Sequence, residues 1–248
     1  MQRLLILLDY DGTLTDFSKN PDHSRLSPSA RALLKRLRRK HPVIFISGRF
    51  LKSLRKVSGL KDFPMVGTHG FEARNLPGGL RMATPALERR FKKEAARLWK
   101  EVQILREEFP DIHIEQKPFS STLHYRGISI PPSQVKKLHR TFNRIFFKTV
   151  TRKWWTLQKG KKMIEAMPRG FNKGKAVKKI LERFPGYTPL YAGDDLTDIS
   201  VFKVLGKKGI KIGVGHRIPK RFVDIRLESP KHFLKWLERF VKTGRLPL

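Results

Sequence analysis

The chain contains no cysteine, which excludes disulfides and thiolate metal sites. Acids are scarce: 21 Asp and Glu stand against 54 Lys and Arg in 248 residues, a net charge of +33. No apolar run approaches the roughly 18 residues of a membrane span, so no transmembrane helix is expected. Met1 to Leu8 is too short for a secretory leader and offers no small-residue cleavage site, and a cytoplasmic location is expected. No internal repeat or low-complexity linker interrupts the chain. The hydrophobic fraction of 39% is enough to build the core of one large domain or two smaller ones.

The positive charge is not confined to one arm. It recurs at Arg31 to Lys40, Arg89 to Lys93, Lys136 to Arg140, Lys159 to Lys162, Lys173 to Lys179, Lys203 to Lys208 and Arg217 to Arg221. Such a surface predicts salt-sensitive, non-specific adhesion to nucleic acids and other polyanions. A solvated basic surface without a partner is the simpler reading of the same residues. Against this background five acids stand out, because they fall in two short motifs: Asp9, Asp11, Asp194, Asp195 and Asp198.

Asp9-Tyr10-Asp11-Gly12-Thr13 follows directly on the apolar run Leu4 to Leu8, which reads as a buried strand of a parallel sheet. Two carboxylates two residues apart then share one side of the chain at the strand's C-terminal edge, where open α/β sheets bind ligands. Gly12 lets the backbone turn sharply away. Buried carboxylates are costly unless a cation or a reaction requires them. With a divalent metal present, one carboxylate could attack phosphorus while the other moves protons.

Further elements follow. Ser27-Pro28 caps a helix whose apolar positions are Ala30, Leu33, Leu34 and Leu37. Pro42 to Ile46 and Met65 to Gly67 read as strands. Asn75 to Gly79 marks a boundary. Beyond it the pattern is helix (Pro85 to Phe109), strands (Ile112 to Gln116, Ser120 to Arg126), helix (Pro132 to Phe147) and strands (Thr149 to Leu157, Lys162 to Met167). That order suits an inserted α+β module with a mostly antiparallel sheet. The first pattern then returns: helix Lys173 to Phe184, strand Thr188 to Ala192, helix Asp198 to Leu205, strand Gly209 to Val214 and helix Lys231 to Phe240. The expected organisation is a parallel-sheet core over residues 1–76 and 168–248, interrupted by a cap over residues 77–167.

Three more elements sit at strand ends or helix starts. Ser47-Gly48-Arg49 offers a hydroxyl and backbone N–H groups for phosphoryl oxygens. Lys173 supplies a cation. Gly193-Asp194-Asp195-Leu196-Thr197-Asp198 gathers three carboxylates, an oxygen set suited to Mg²⁺, although acids also favour a helix N-terminus for its dipole alone.

In this order and spacing the four elements resemble the motif set of the haloacid-dehalogenase (HAD) phosphatases. That resemblance implies a doubly wound α/β core, an aspartyl-phosphate intermediate and Mg²⁺. It implies Asp9 as nucleophile, Asp11 as general acid and then base, and Ser47, Gly48 and Lys173 as phosphate-binding groups. Asp9, the Asp11 carbonyl and Asp194, with Asp195 or Asp198 in support, would hold the metal.

More closely, the chain resembles the trehalose-6-phosphate phosphatases, and over most of its length. The motifs that carry this are Gly67-x-His69-Gly70-x-Glu72, Glu115-x-Lys117, His124-Tyr125-Arg126 and Glu165-x-x-Pro168-Arg169-Gly170-x-x-Lys173-Gly174. The resemblance implies a C2-type cap that reads sugar hydroxyls, with Lys117, His124, Arg126 and Glu165 on the sugar side and Arg49 and Arg169 also in substrate binding. A sugar-phosphate synthase is an implied partner. Read as residues alone, Thr122, His124 and Arg126 equally form one polar face of a strand, and Glu165 equally pairs with a nearby lysine. Ile199 departs from the family, which usually places Glu there. Sucrose phosphate and mannosyl-phosphoglycerate therefore remain alternative substrates, and a nucleic-acid-binding protein on the same fold is the alternative outside enzymes.

Overall fold

The computed structural model, which describes residues 3–16, 18, 21–125, 130–160 and 162–247, places Leu4–Leu8 (β1) at the centre of a seven-stranded sheet. On one side of β1 lie Val43–Ile46 (β2), Met65–Gly67 (β3) and Glu72–Arg74 (β4). On the other lie Thr188–Gly193 (β9), Ile210–Val214 (β10) and Ile225–Leu227 (β11). Every neighbouring pair is parallel except β3 with β4. The continuous apolar run of β1 follows from burial on both faces. Leu4, Ile6 and Leu8 enter one core with Leu33, Leu34 and Leu37 of α1 (Pro28–Arg38) and Phe233, Leu237 and Phe240 of α8 (Pro230–Thr243). Leu5 and Leu7 enter the other with Ala176, Val177 and Ile180 of α6 (Lys173–Leu181) and Val201 and Phe202 of α7 (Ile199–Leu205).

Register sets the site. Leu8 pairs with Ala192 and with Phe45. The residues that follow β1, β2 and β9 therefore leave the same sheet edge at nearly the same level: Asp9, Ser47 and Asp194.

The structure divides into two compact units, Met1–Met82 with Phe171–Leu248, and Ala83–Gly170. Both seams fall later than the composition suggests. Leu76 and Met82 are buried in the first unit's core, and Pro168 still pairs with Trp155 in the second unit's sheet.

The inserted unit carries an antiparallel sheet in the order β5 (His113–Gln116), β6 (Ser121–His124), β8 (Met163–Pro168) and β7 (Trp155–Gly160). Ile114, Leu123 and Ile164 line up across it and are buried. Glu115, Thr122, Glu165 and Gln158 line up on the alternate positions, as the two-residue period of a strand requires. α3 (Pro85–Val102) packs on β5 and β6 and against α5 (Pro132–Thr149).

Three details differ from the sequence reading. The helix expected to reach Phe109 ends at Val102, where the Gln103 N–H turns to the Lys100 carbonyl, and a short α4 (Leu105–Glu108) follows. β7 begins at Trp155, because Thr149 closes α5 and the Trp154 N–H closes a turn onto Thr151. α2 (Leu51–Ser58) was not anticipated: its N-cap, Phe50, has no side-chain acceptor, and the carboxylate of Glu72 accepts the Leu51 N–H from a distant turn instead, at 3.2 Å. Among the described residues no helix is long and apolar enough to cross a membrane.

Candidate active site

At the sheet edge Asp9, Asp194 and Asp198 bring carboxylate oxygens within 4.8 Å of one another, all buried. The buried ammonium of Lys173, at the start of α6, donates to Asp9 Oδ1 at 2.8 Å and to Asp198 Oδ1 at 2.7 Å. Asn172 caps that helix by accepting the Lys175 N–H, which fixes the root of Lys173. Gly174 is required beside it, since a Cβ there would lie 2.3 Å from the Ser200 carbonyl oxygen.

Asp198 is the hub. Its Oδ1 also accepts the Tyr191 hydroxyl at 2.5 Å, and its Oδ2 accepts the N–H groups of Asp194 and Asp195 at 3.0 Å each. It thus shapes the Asp194 loop while holding Lys173. Asp194 packs against Gly12, where a Cβ would lie 2.2 Å from Asp194 Oδ2 and where φ is +78°. Only glycine meets both conditions.

Fully ionised, three buried carboxylates against one buried ammonium would leave two negative charges uncompensated. Burial drives the Asp9 carboxyl well above its usual range; Lys173 works against this, and Asp198 and Asp194 add to it. Burial and Asp198 push Asp194 up to about 7, with Lys173 opposing. Lys173 goes the other way: burial alone would lower it, but Asp198 and Asp9 hold it firmly protonated. A buried oxygen set short of two positive charges fits a hard divalent cation.

The remaining sequence-derived residues divide between this cluster and its surroundings. Asp195 stays outside, half-exposed, its carboxylate accepting the adjacent Leu196 N–H. Asp11 turns its side chain to Arg49, which donates Nε to Oδ2 and NH2 to Oδ1, each at 2.6 Å. Arg49 was expected at the substrate; here its guanidinium holds Asp11. Ser47 is buried and accepts the Arg49 N–H, and Gly48 is required because a Cβ would lie 2.6 Å from the His69 ring.

Within the inserted unit, Lys117 donates to Glu165 at 3.0 Å and lies 3.8 Å from Glu115. Glu165 is buried and also accepts the Ser120 hydroxyl at 2.8 Å. His124 bonds Glu115 at 3.0 Å. Burial opposes ionisation of Glu115, but His124 and Lys117 outweigh it and lower its carboxyl. Lys117, His124 and Glu165 therefore form one network. Arg169 donates Nε to the Trp155 carbonyl at 2.9 Å. Arg126 lies outside the described residues.

Several residues of the site were not singled out from sequence. Tyr191 puts a hydroxyl in the middle of β9, between Leu190 and Ala192, which was its available signal. Thr13 reaches Asp9 Oδ2 at 3.5 Å. Arg217 comes within 3.9 Å of both Asp194 and Asp195.

The trehalose-phosphatase family model matches residues 7–224. The chain belongs to the trehalose-phosphatase family. It is 31% identical over 225 residues to a trehalose-phosphate phosphatase of Mycobacterium tuberculosis, covering 85% of this chain and 54% of that protein. It is 26% identical over 258 residues to a probable trehalose-phosphate phosphatase of Oryza sativa subsp. japonica, covering 98% of this chain and 67% of that one. The chain thus spans about half the length of the mycobacterial relative and two thirds of the rice one. The fold matches the C-terminal domain of a C. albicans trehalose-6-phosphate phosphatase with a TM-score of 0.75 at 24% identity, over 97% of this chain and 93% of that one. The core is therefore the HAD-like α/β fold, interrupted by the inserted unit Ala83–Gly170.

Proposed function

We propose that the protein is a Mg²⁺-dependent phosphomonoesterase that hydrolyses trehalose 6-phosphate to trehalose and phosphate. The observation that carries this is the buried cluster of Asp9, Asp194 and Asp198 around Lys173, in a chain of the trehalose-phosphatase family.

Asp9 and Asp194 would hold the cation, with Asp198 fixing the loop that presents Asp194. Bound there, Mg²⁺ supplies charge neutralisation for phosphoryl oxygens. In the first half-reaction an Asp9 oxygen forms a bond to phosphorus as the bond from phosphorus to the sugar oxygen breaks. The leaving oxygen keeps that electron pair and takes a proton from Asp11. In the second, Asp11, now a carboxylate, takes a proton from water while the water oxygen bonds to phosphorus and the Asp9–phosphorus bond breaks. Lys173 offsets charge developing beside Asp9 throughout. Lys117, His124 and Glu165 serve the sugar.

The charge of +33 supports a separate, salt-sensitive adhesion to polyanions. The test of the main reading is phosphate release from trehalose 6-phosphate, sucrose phosphate, mannosyl-phosphoglycerate and glucose 6-phosphate, with Mg²⁺ and after chelation. Preferred turnover of trehalose 6-phosphate supports it. Preference for another ester moves the substrate assignment, and no turnover of any ester removes the enzymatic one.

A further inference from the structure

We propose that Arg49 is the positioning residue of Asp11: its guanidinium fork fixes the place and plane of the carboxyl group that faces the leaving oxygen. This rests on the reading of Asp11 as the proton donor.

Both Asp11 oxygens are taken by one guanidinium, at 2.6 Å each, a two-point contact that fixes the plane of the carboxylate as well as its place. Arg49 is itself held on every side. Its side chain is only one-tenth exposed, against about a quarter for Asp11. NH1 donates to Ser53 at 3.2 Å, and the guanidinium sits 5.7 Å from the centre of the Tyr10 ring.

The backbone shows the same commitment. The Arg49 N–H goes to Ser47 Oγ, and the Arg49 carbonyl accepts the Thr68 N–H at 2.7 Å. His69 donates its N–H to the Ser47 carbonyl at 3.1 Å. Thr68 and His69 have φ of +47° and +52°, a region that a β-branched residue rarely adopts. The Thr68 hydroxyl and the Leu51 N–H both go to Glu72. A strained turn is thus stapled to both ends of Ser47-Gly48-Arg49. Strain held in place by its surroundings is a mark of functional positions, and the group it delivers here is Arg49.

The chemistry follows from the two-point contact. A fork on both Asp11 oxygens fixes where the carboxyl stands and which way its plane faces, so the group that serves the leaving oxygen is already oriented when substrate arrives, and such positioning lowers a barrier.

The experiment compares Arg49→Gln and Arg49→Lys with wild type, with Mg²⁺ present, on an alkyl ester (trehalose 6-phosphate, and glucose 6-phosphate beside it) and on p-nitrophenyl phosphate. An alkoxide needs a proton to leave and p-nitrophenolate does not. Arg49→Gln is expected to lower kcat on the alkyl ester by more than about tenfold, at the low end of what general acid catalysis supplies. On p-nitrophenyl phosphate the loss should be slight and KM nearly unchanged. Arg49→Lys, a point charge without the fork, should recover only part. Higher KM on both esters with kcat retained would mean that Arg49 binds the phosphoryl group, and equal kcat losses would mean that it serves the fold or the nucleophile; either overturns the proposal. Asp11→Asn is the control for the underlying reading. If it shows no leaving-group dependence, Asp11 is not the proton donor; if it does and Arg49→Gln does not, only the role of Arg49 fails.

Discussion

Lys173 and Asp198 form a fully buried ion pair of 2.7 Å, and the same ammonium reaches Asp9 at 2.8 Å. Removing one member of a buried pair strands the other's charge and typically costs about 3–5 kcal/mol. Here the Asp198 carboxylate would be stranded beside Asp9 and Asp194. Lys173→Met is therefore expected to be inactive and, free of metal, to lose stability by an amount of that order. Mg²⁺ should restore part of the stability without restoring turnover. Denaturant unfolding with and without Mg²⁺ measures both, and a metal-free loss below about 1 kcal/mol would show that the pair is not buried in charged form.

Asp9→Asn should abolish turnover of every phosphomonoester, because an amide cannot become the acyl phosphate. Its effect on stability has the opposite sign. The Asp9 carboxyl is raised above its usual 3.8 by burial, despite Lys173. For an acid raised on folding, the unfolded chain ionises first, so the native state loses stability as pH climbs from near 4 through the folded value. Asparagine has no such penalty. Metal-free Asp9→Asn should melt above wild type at pH 7, and the gap should close near pH 4. A variant that melts lower at pH 7 would place Asp9 in a better-compensated environment than this one.

Much of this cluster was legible in the sequence for a physical reason. The short runs before Asp9 and Asp194 read as strands buried on both faces, and acids that follow parallel strands emerge at one edge. The pairing of Asp11 with Arg49 was not legible, because it depends on the register of β1 against β2 and on the turn at Thr68 and His69. Tyr191 looked like one more strand residue until Asp198 came to lie against its hydroxyl. α2 escaped notice because its cap comes from Glu72, 21 positions along the chain. In the inserted unit, the strand period put Thr122 and His124 on one face, while the place of Glu165 beside Thr122 comes from the pairing of β6 with β8. That Glu165 is buried and bound by Ser120 as well as Lys117 depends on how the strands assemble.

The metal site makes a prediction about protons. Asp194 is pushed up to about 7, first by burial and then by Asp198, so metal-free protein near neutrality carries a proton that a cation must displace. Asp9, whose carboxyl is also raised by burial, must ionise too, so Mg²⁺ affinity should rise as pH climbs through 7, with protons released on binding. Calorimetry in two buffers of different ionisation enthalpy counts them. Gly12→Ala supplies the control. Its Cβ would meet Asp194 Oδ2 at 2.2 Å, so it should lose Mg²⁺ binding and activity. A pH-independent affinity in wild type would mean that Asp194 is not the ligand that titrates.

Specificity for the sugar should lie with Lys117 and Glu165. Their 3.0 Å ion pair is braced by the Ser120 hydroxyl on the same Glu165 oxygen, and Glu115 approaches Lys117 at 3.8 Å. Glu165 is buried, so its part is to hold the Lys117 ammonium in one direction. Contacts remote from phosphorus position the reacting group as well as tether the substrate. Lys117→Ala and Glu165→Gln are therefore expected to cut kcat/KM for trehalose 6-phosphate by more than about tenfold, roughly one or two charge-assisted hydrogen bonds. Turnover of p-nitrophenyl phosphate, which has no sugar, should change far less. Glu165→Gln should be the milder of the two, because glutamine still accepts from Ser120 and Lys117. Equal losses on both substrates would assign the pair to the fold of the inserted unit. A wild type that prefers glucose 6-phosphate would instead show that a disaccharide is not what these residues read, and Ile199, where the family usually carries Glu, would be the first position to exchange.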